Sequence, residues 1–170
     1  MYDWSSNKNQ ILAVKVLSEN DKFLYLINDT SYEIEQINPS DTKIAYSDAK
    51  FIPNQNACLI VSDEFSEFLQ LHHYNLVKKE FTTITTNILW DVESITIDKQ
   101  GQKAAFSVNE NGLSQLYILD IPTLKYTKVN NFPEGITRDL IINPKGTEVG
   151  FNFYSSTFRR KVYGLSLIHI

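Results

Sequence analysis

Few residues of this 170-residue chain combine the type and spacing that chemistry requires. His72 and His73 are adjacent imidazoles, and imidazole is a common metal ligand. They lie in a run that reads as a strand, where neighbours project to opposite faces, so the pair cannot chelate one ion. Asp63, Glu64 and Glu67 form an oxygen-rich group of the kind that coordinates Ca²⁺. They fall between two apolar runs, and the plainer expectation is a solvated loop. Asn28-Asp29-Thr30 matches a glycosylation acceptor, a short motif that also arises by chance. His169 lies in the last three residues and carries no expected role.

Nucleophilic chemistry has no support. A catalytic serine on a strand-to-helix elbow needs Gly-x-Ser-x-Gly. Gly146 and Gly150 are the only glycines four apart, and the residue at their centre is Glu148. The glycine patterns that cradle nucleotides or phosphates are absent as well. No residue is therefore assigned a catalytic, cofactor-binding or metal-ligating role, and no cofactor is expected. Cys58, the single cysteine, sits beside Leu59 and Ile60 and reads as a small buried hydrophobe.

Charge excludes further classes. The formal net charge is −4, against the basic patch expected of a nucleic-acid surface. Arg159-Arg160-Lys161 is the one dense basic run, and a solvated strand edge accounts for it. No apolar stretch approaches the roughly 18 residues of a membrane helix. No signal-peptide core is visible at the start, so the sequence assigns no compartment. The aromatics, Phe65, Phe68, Tyr74, Phe81, Trp90, Phe106 and Tyr117 among them, suit packing between sheets.

The elements that carry these residues repeat. Trp4, Phe51, Ile97 and Ile142 each open a similar passage, at steps of 47, 46 and 45 residues. Leu24, Leu71, Leu116 and Val162 keep the same rhythm, at steps of 47, 45 and 46. The clearest copy reads VESITI, a polar turn, KAAFSV, a turn with Asn-Gly, QLYILDI, a turn and KYTKV. Alternating apolar and polar residues separated by turn formers indicate half-buried strands. Four short strands per copy, with no helical period, describe one blade of a β-propeller.

The fold is therefore expected to be all-β, with blades of four antiparallel strands at about 1–46, 47–91, 92–137 and 138–164. A period near 46 gives about 3.7 blades, whereas closed propellers have four to eight, so a piece of a longer propeller is expected. The last residues, 165–170, look like translated sequencing adapter and are expected to be a non-native tail. Where two copies lack the turn glycine, Asn9 and Asn56 are expected to stand in for it, since asparagine tolerates positive φ better than most residues.

The turns carry a resemblance. Segments 4–9, 51–56, 97–102 and 142–147 look like worn copies of the Ser-Pro-Asp-Gly-Lys turn. That turn recurs in propellers of the prolyl oligopeptidase family and of Tol-system periplasmic proteins. Ser62-Asp63 followed by Glu64-Phe65-Ser66-Glu67-Phe68 is similar to one blade of that peptidase family. Trp90-Asp91-Val92-Glu93 with Val108-Asn109-Glu110-Asn111-Gly112 and the strand Leu116–Asp120 resembles the next. The likeness spans nearly all of residues 2–164, but the turn's Asp is replaced throughout and its Gly survives only as Gly101 and Gly146.

The resemblance implies the non-catalytic propeller of a serine peptidase. In that family the propeller covers an α/β-hydrolase domain, absent from this chain, and admits short peptides by size. The implied partners are that domain and peptide substrates, with neither nucleic acid nor membrane. A stand-alone interaction propeller, Tol-like or WD-repeat-like, is the alternative. A propeller with its own active site would need converging carboxylates or metal ligands that the sequence does not single out.

Overall fold

Polar turns cut the chain into short apolar runs, and each run becomes a strand. A computed structural model describes residues 1–5, 9–156 and 159–167, which contain strands and turns and no helix. The strands form four antiparallel sheets, each meandering in chain order. The first holds β1 (Asp3–Ser5), β2 (Gln10–Ser18), β3 (Asp21–Asn28) and β4 (Ile34–Gln36). The second holds β5 (Tyr46–Phe51), β6 (Ala57–Ser62), β7 (Gln70–Asn75) and β8 (Glu80–Thr83). The third holds β9 (Val92–Ile97), β10 (Lys103–Glu110), β11 (Leu113–Asp120) and β12 (Lys125–Lys128). The fourth holds β13 (Ile136–Ile142), β14 (Glu148–Tyr154) and β15 (Lys161–Ser166). These are the blade-type sheets of a partial β-propeller.

The repeat read from sequence is kept residue by residue in the pairing. Trp4, Phe51, Ile97 and Ile142 sit on the first strand of their sheets, opposite Ile11, Cys58, Ala104 and Val149. Leu24, Leu71, Leu116 and Val162 sit on the third, opposite Val14, Val61, Ser107 and Asn152. In every sheet the second partner lies three places beyond the first, so all four share one register. Hydrogen bonds repeat too: the carbonyls of Leu24, Leu71 and Leu116 each accept from Ile37, Ile84 and Val129, all at 2.8 Å.

The chain divides into two compact units, Met1–Leu89 and Trp90–Ile170. In the first, a core of Leu12, Leu24, Ile44, Tyr46, Phe51 and Ile60 lies between the two sheets. In the second, Leu116, Ile118, Ile142, Phe151, Phe153 and Leu167 do the same. Each unit stitches its sheets with equivalent bonds. The Phe51 N–H donates to Asp3 Oδ2 (2.8 Å), and the Ile142 N–H donates to Thr96 Oγ1 (3.3 Å). Lys22 N donates to the Ile44 carbonyl (2.9 Å), and Ser114 N to that of Gly135 (2.8 Å).

Several boundaries differ from expectation. The divisions at 46/47 and 137/138 fall inside β5 and β13, because Tyr46 pairs with Ser62 and Thr137 with Phe153. The division at 164/165 falls inside β15, where Leu165 pairs with Val149 and Ser166 with Glu148. Leu167 N donates to the Thr147 carbonyl (2.7 Å), the counterpart of Ile121 on Gln102 and Leu76 on Asn56. Residues 165–167 thus continue the repeat: Leu-Ser-Leu matches Leu119-Asp120-Ile121 in apolar pattern. Residues 168–170, with His169, lie outside the described residues.

One turn residue is also corrected. Asn9 has positive φ (49°), as do Gly101 and Gly146 (67° each), but in the second sheet it is Asn54 (62°), not Asn56. There Ile52 accepts from Gln55 N, with Pro53 and Asn54 between. Proline at the second position and a positive-φ residue at the third are what a type II turn requires. The third and fourth sheets place their glycine one residue later.

Candidate functional site

The acidic loop after β6 is built into the sheet end. Ala45 N donates to Asp63 Oδ1 (2.7 Å), and Asp63 N returns a bond to the Ala45 carbonyl (3.3 Å). The Tyr46 hydroxyl donates to Glu64 Oε2 (3.3 Å). Burial pushes the Glu64 carboxyl up to about 7; the Asp63 charge adds to this, and the Tyr46 hydrogen bond opposes it. Burial likewise pushes the Tyr46 hydroxyl up, with Glu64 adding to it. The loop is therefore not simply solvated: Asp63 and Glu64 are partly buried where the chain folds back to hold the entry to β5, and Glu67 stays exposed.

His72 and His73 point to opposite faces as expected. His72 is fully buried, its ring nitrogens 3.1 Å from Thr83 Oγ1 and 3.2 Å from the Ser62 carbonyl oxygen. The rings of Phe65 and Phe81 stand edge-on to it at 5.5 and 5.8 Å. Burial lowers the pKa of both histidines. Among the described residues no group of His, Cys, Asp and Glu is placed to hold a metal ion.

The other sequence candidates have structural roles. Asn28 Oδ1 accepts from Thr30 N (2.9 Å) and Ser31 N (3.0 Å), closing the β3–β4 turn. Asn75 does the same for Val77 and Lys78, and Asp120 for Thr123. Cys58 is buried, and burial raises its thiol pKa. Arg160 Nε donates to Asn152 Oδ1 (3.1 Å), while Arg159, Arg160 and Lys161 remain exposed. Gly146 sits in the β13–β14 turn, where a Cβ would come within 2.8 Å of Asp98 Oδ2, and Glu148 and Gly150 lie on β14.

The second unit holds a cluster that the sequence did not announce. Between β10 and β11 the hairpin is two residues long, with Asn111 (φ 54°) and Gly112 (φ 83°) both in the left-handed region that a type I′ turn demands. Asn109 closes it, accepting from Gly112 N (2.9 Å) while its Nδ2 donates to Glu93 Oε1 (3.2 Å). Glu93 is a bulge residue, since Val92 pairs with Val108 and Ser94 with Ser107. Bulges re-aim side chains. The Ser114 hydroxyl donates to Glu93 Oε2 (3.2 Å) and accepts from Thr137 N (3.0 Å).

A second irregularity faces the first. β13 slips against β14 between Arg138 and Ile141, and Asp139 there takes φ 55°. Its Oδ2 accepts from Asn152 Nδ2 at 2.5 Å. Glu93, Ser94, Ser114, Thr137, Arg138 and Asp139 line a cavity of about 450 Å³ within this unit. Asn-Gly at 111–112 foretells the tight hairpin; nothing local foretells that two bulges meet beside it.

The sheets resemble those of solved propeller proteins. The chain superposes on a prolyl endopeptidase with TM-score 0.78 at 12% identity, over 97% of this chain and 24% of that one. A puromycin hydrolase gives 0.79 at 13% identity, over 99% and 27%. TolB from Acinetobacter baumannii gives 0.70 at 16% identity, over 94% and 38%. The chain thus spans less than two thirds of each of these proteins, and identities this low establish the fold alone. No family model and no curated protein matches the sequence.

Proposed function

We propose that this chain is the non-catalytic propeller portion of a prolyl oligopeptidase-type serine peptidase, limiting by size which substrates reach a separate α/β-hydrolase domain. The superposition on peptidase propellers along 97% or more of the chain carries this reading. The sequence agrees, since it holds blade turns of that family's kind and no Gly-x-Ser-x-Gly. A size filter needs a rigid frame, and the repeated register and inter-sheet bonds supply rigidity within each unit. The similarity to TolB supports the second reading, a stand-alone propeller that binds other proteins.

A serine-directed fluorophosphonate separates the two. On the peptidase reading, the full-length protein is labelled stoichiometrically and the 170-residue chain is not. It also cleaves short peptides while sparing a folded protein that contains the same sequence. A full-length protein that takes no label, or label on a serine of this chain, overturns the reading.

A further inference from the structure

We propose that the outer edge of β15 docks an extended peptide of one pattern: an aromatic residue, two polar residues, isoleucine or valine, then acidic residues. β15 is the edge of its sheet, whereas its counterparts β3, β7 and β11 each pair with a fourth strand. That fourth strand brings the same groups in all three sheets. Ile34, Phe81 and Tyr126 stand opposite Ile27, Tyr74 and Leu119. Three residues later, Ile37, Ile84 and Val129 donate their N–H to the carbonyls of Leu24, Leu71 and Leu116 (2.8 Å each). The shared register makes Leu165 the counterpart of Leu119, and Val162 that of Leu116. The repeat itself therefore says what this edge accepts.

Val162 and Gly164 present the backbone groups. Leu167 N donates to the Thr147 carbonyl beside β14 (2.7 Å), and residues alternate along an antiparallel strand, so Val162 and Gly164 face away from β14. An exposed edge is a template for a further strand, and the seats of alternate side chains select which peptide adds. A ring pair sets the aromatic position. In the third sheet Phe106 and Tyr117 stack at 5.1 Å, and Tyr126 meets both edge-on at 5.8 Å. Phe81 likewise meets His72, the counterpart of Tyr117, edge-on at 5.8 Å. Phe151 and Tyr163 occupy the same two positions in the fourth sheet and stack at 5.9 Å, with Phe132 and Phe153 beside them. A ring opposite Leu165 completes the third sheet's arrangement there. Charge sets the flank, because the next two peptide residues fall opposite Lys161 and Arg160, both exposed. A second copy of β15 does not fit the pattern, since Tyr163 is followed three places on by Ser166.

The test titrates the 170-residue chain into a fluorescein-labelled peptide, Glu-Phe-Thr-Thr-Ile-Asp-Glu, which is the β8 sequence 80–84 with an acidic end. Saturable binding by anisotropy is expected. Alanine in place of the peptide's phenylalanine should weaken it about tenfold or more, as for a buried aromatic anchor. Scrambling the peptide should abolish it. Gly164→Pro removes an outward N–H, which edge strands tolerate, and should weaken binding to a similar degree. Gly164→Ala keeps that N–H, and its Cβ meets nothing within 4 Å, so binding should be unchanged. Hydrogen exchange on the parent chain reads the site without any variant: the Val162 and Gly164 amides should slow when peptide is added. Absence of saturable binding, equal binding of the scrambled peptide or unchanged binding in a folded Gly164→Pro overturns the proposal. So does exchange at Val162 and Gly164 that the peptide leaves unaltered, or self-association that already protects them.

Discussion

At the close of the second strand, the first unit places Asp63 and the second places Asn109, 46 residues on, and both bond to the residue leading into their own first strand. From there they diverge. After Asp63 the chain makes a long loop that folds Glu64 and Phe65 back over β5, β7 and β8, against Tyr46, His72 and Phe81. After Asn109 it turns in two residues and leaves the space beside Glu93 open. One register thus yields a filled end and a hollow one, and loop length decides which. The leaders of the two units' second sheets differ as well: Ile44 is a core residue of the first unit, whereas Gly135, 91 residues on, has Phe153 and the Tyr154 carbonyl where a side chain would stand.

The largest effect should come from those leaders. Ile44→Ala removes a buried side chain and should cost about 2–5 kcal/mol in urea denaturation. Gly135→Ala should also destabilise, by about 1–3 kcal/mol, because its Cβ would come within 2.3 Å of the Tyr154 carbonyl oxygen. A neutral Gly135→Ala would show that the second unit has room at this position and would break the comparison.

Next come the strand-end side chains. Asp63→Ala strands the Ala45 N–H and should cost about 1–3 kcal/mol, the penalty of an unsatisfied buried donor. Asn109→Ala loses bonds on an open rim, and a smaller cost of about 1 kcal/mol is expected. Equal losses in denaturation midpoints would show that filling the loop adds nothing to the first unit.

The pH dependence sharpens the contrast. Glu64 is raised from an ordinary 4.5 to about 7, so its charged form is disfavoured in the fold. Stability from this group is present below the ordinary value and is lost as pH rises from there through about 7. Because the carboxylate is partly solvated, the loss should be on the order of 1 kcal/mol. His72 and His73 act in the opposite sense, since their lowered pKa values withdraw stability as pH falls below 6.5. In Glu64→Gln the alkaline-side loss should vanish and the acid-side loss remain, as read from midpoints between pH 5 and 8.

The smallest effect concerns the tight hairpin. Gly112 has φ 83° and open space around it, so Gly112→Ala meets strain without a clash. It should cost about 1 kcal/mol. A much larger loss would mean that the hairpin tip makes contacts the comparison leaves out.

The repeat and the strand type were written locally. Period-2 alternation and turn residues fix which runs become strands and which positions of the repeat are equivalent, so Phe51 and Ile97 could be placed together before any fold was known. What covers each equivalent position is not local. Phe51 is buried in the first unit's core while Trp4, at the same register, is 55% exposed, and Leu116 is buried while Val162 is 79% exposed. Nor could sequence say that Leu165-Ser166 pairs as a strand, because its partners Val149 and Glu148 lie across a hairpin. The cavity is the clearest case. Glu93, Thr137 and Asp139 read singly as ordinary strand residues, and bulges in two different sheets had to meet before they shared one space. Residue types and spacing determined the blades and the lengths of their loops; only the packing of one sheet on the next decided which residues came to share one space.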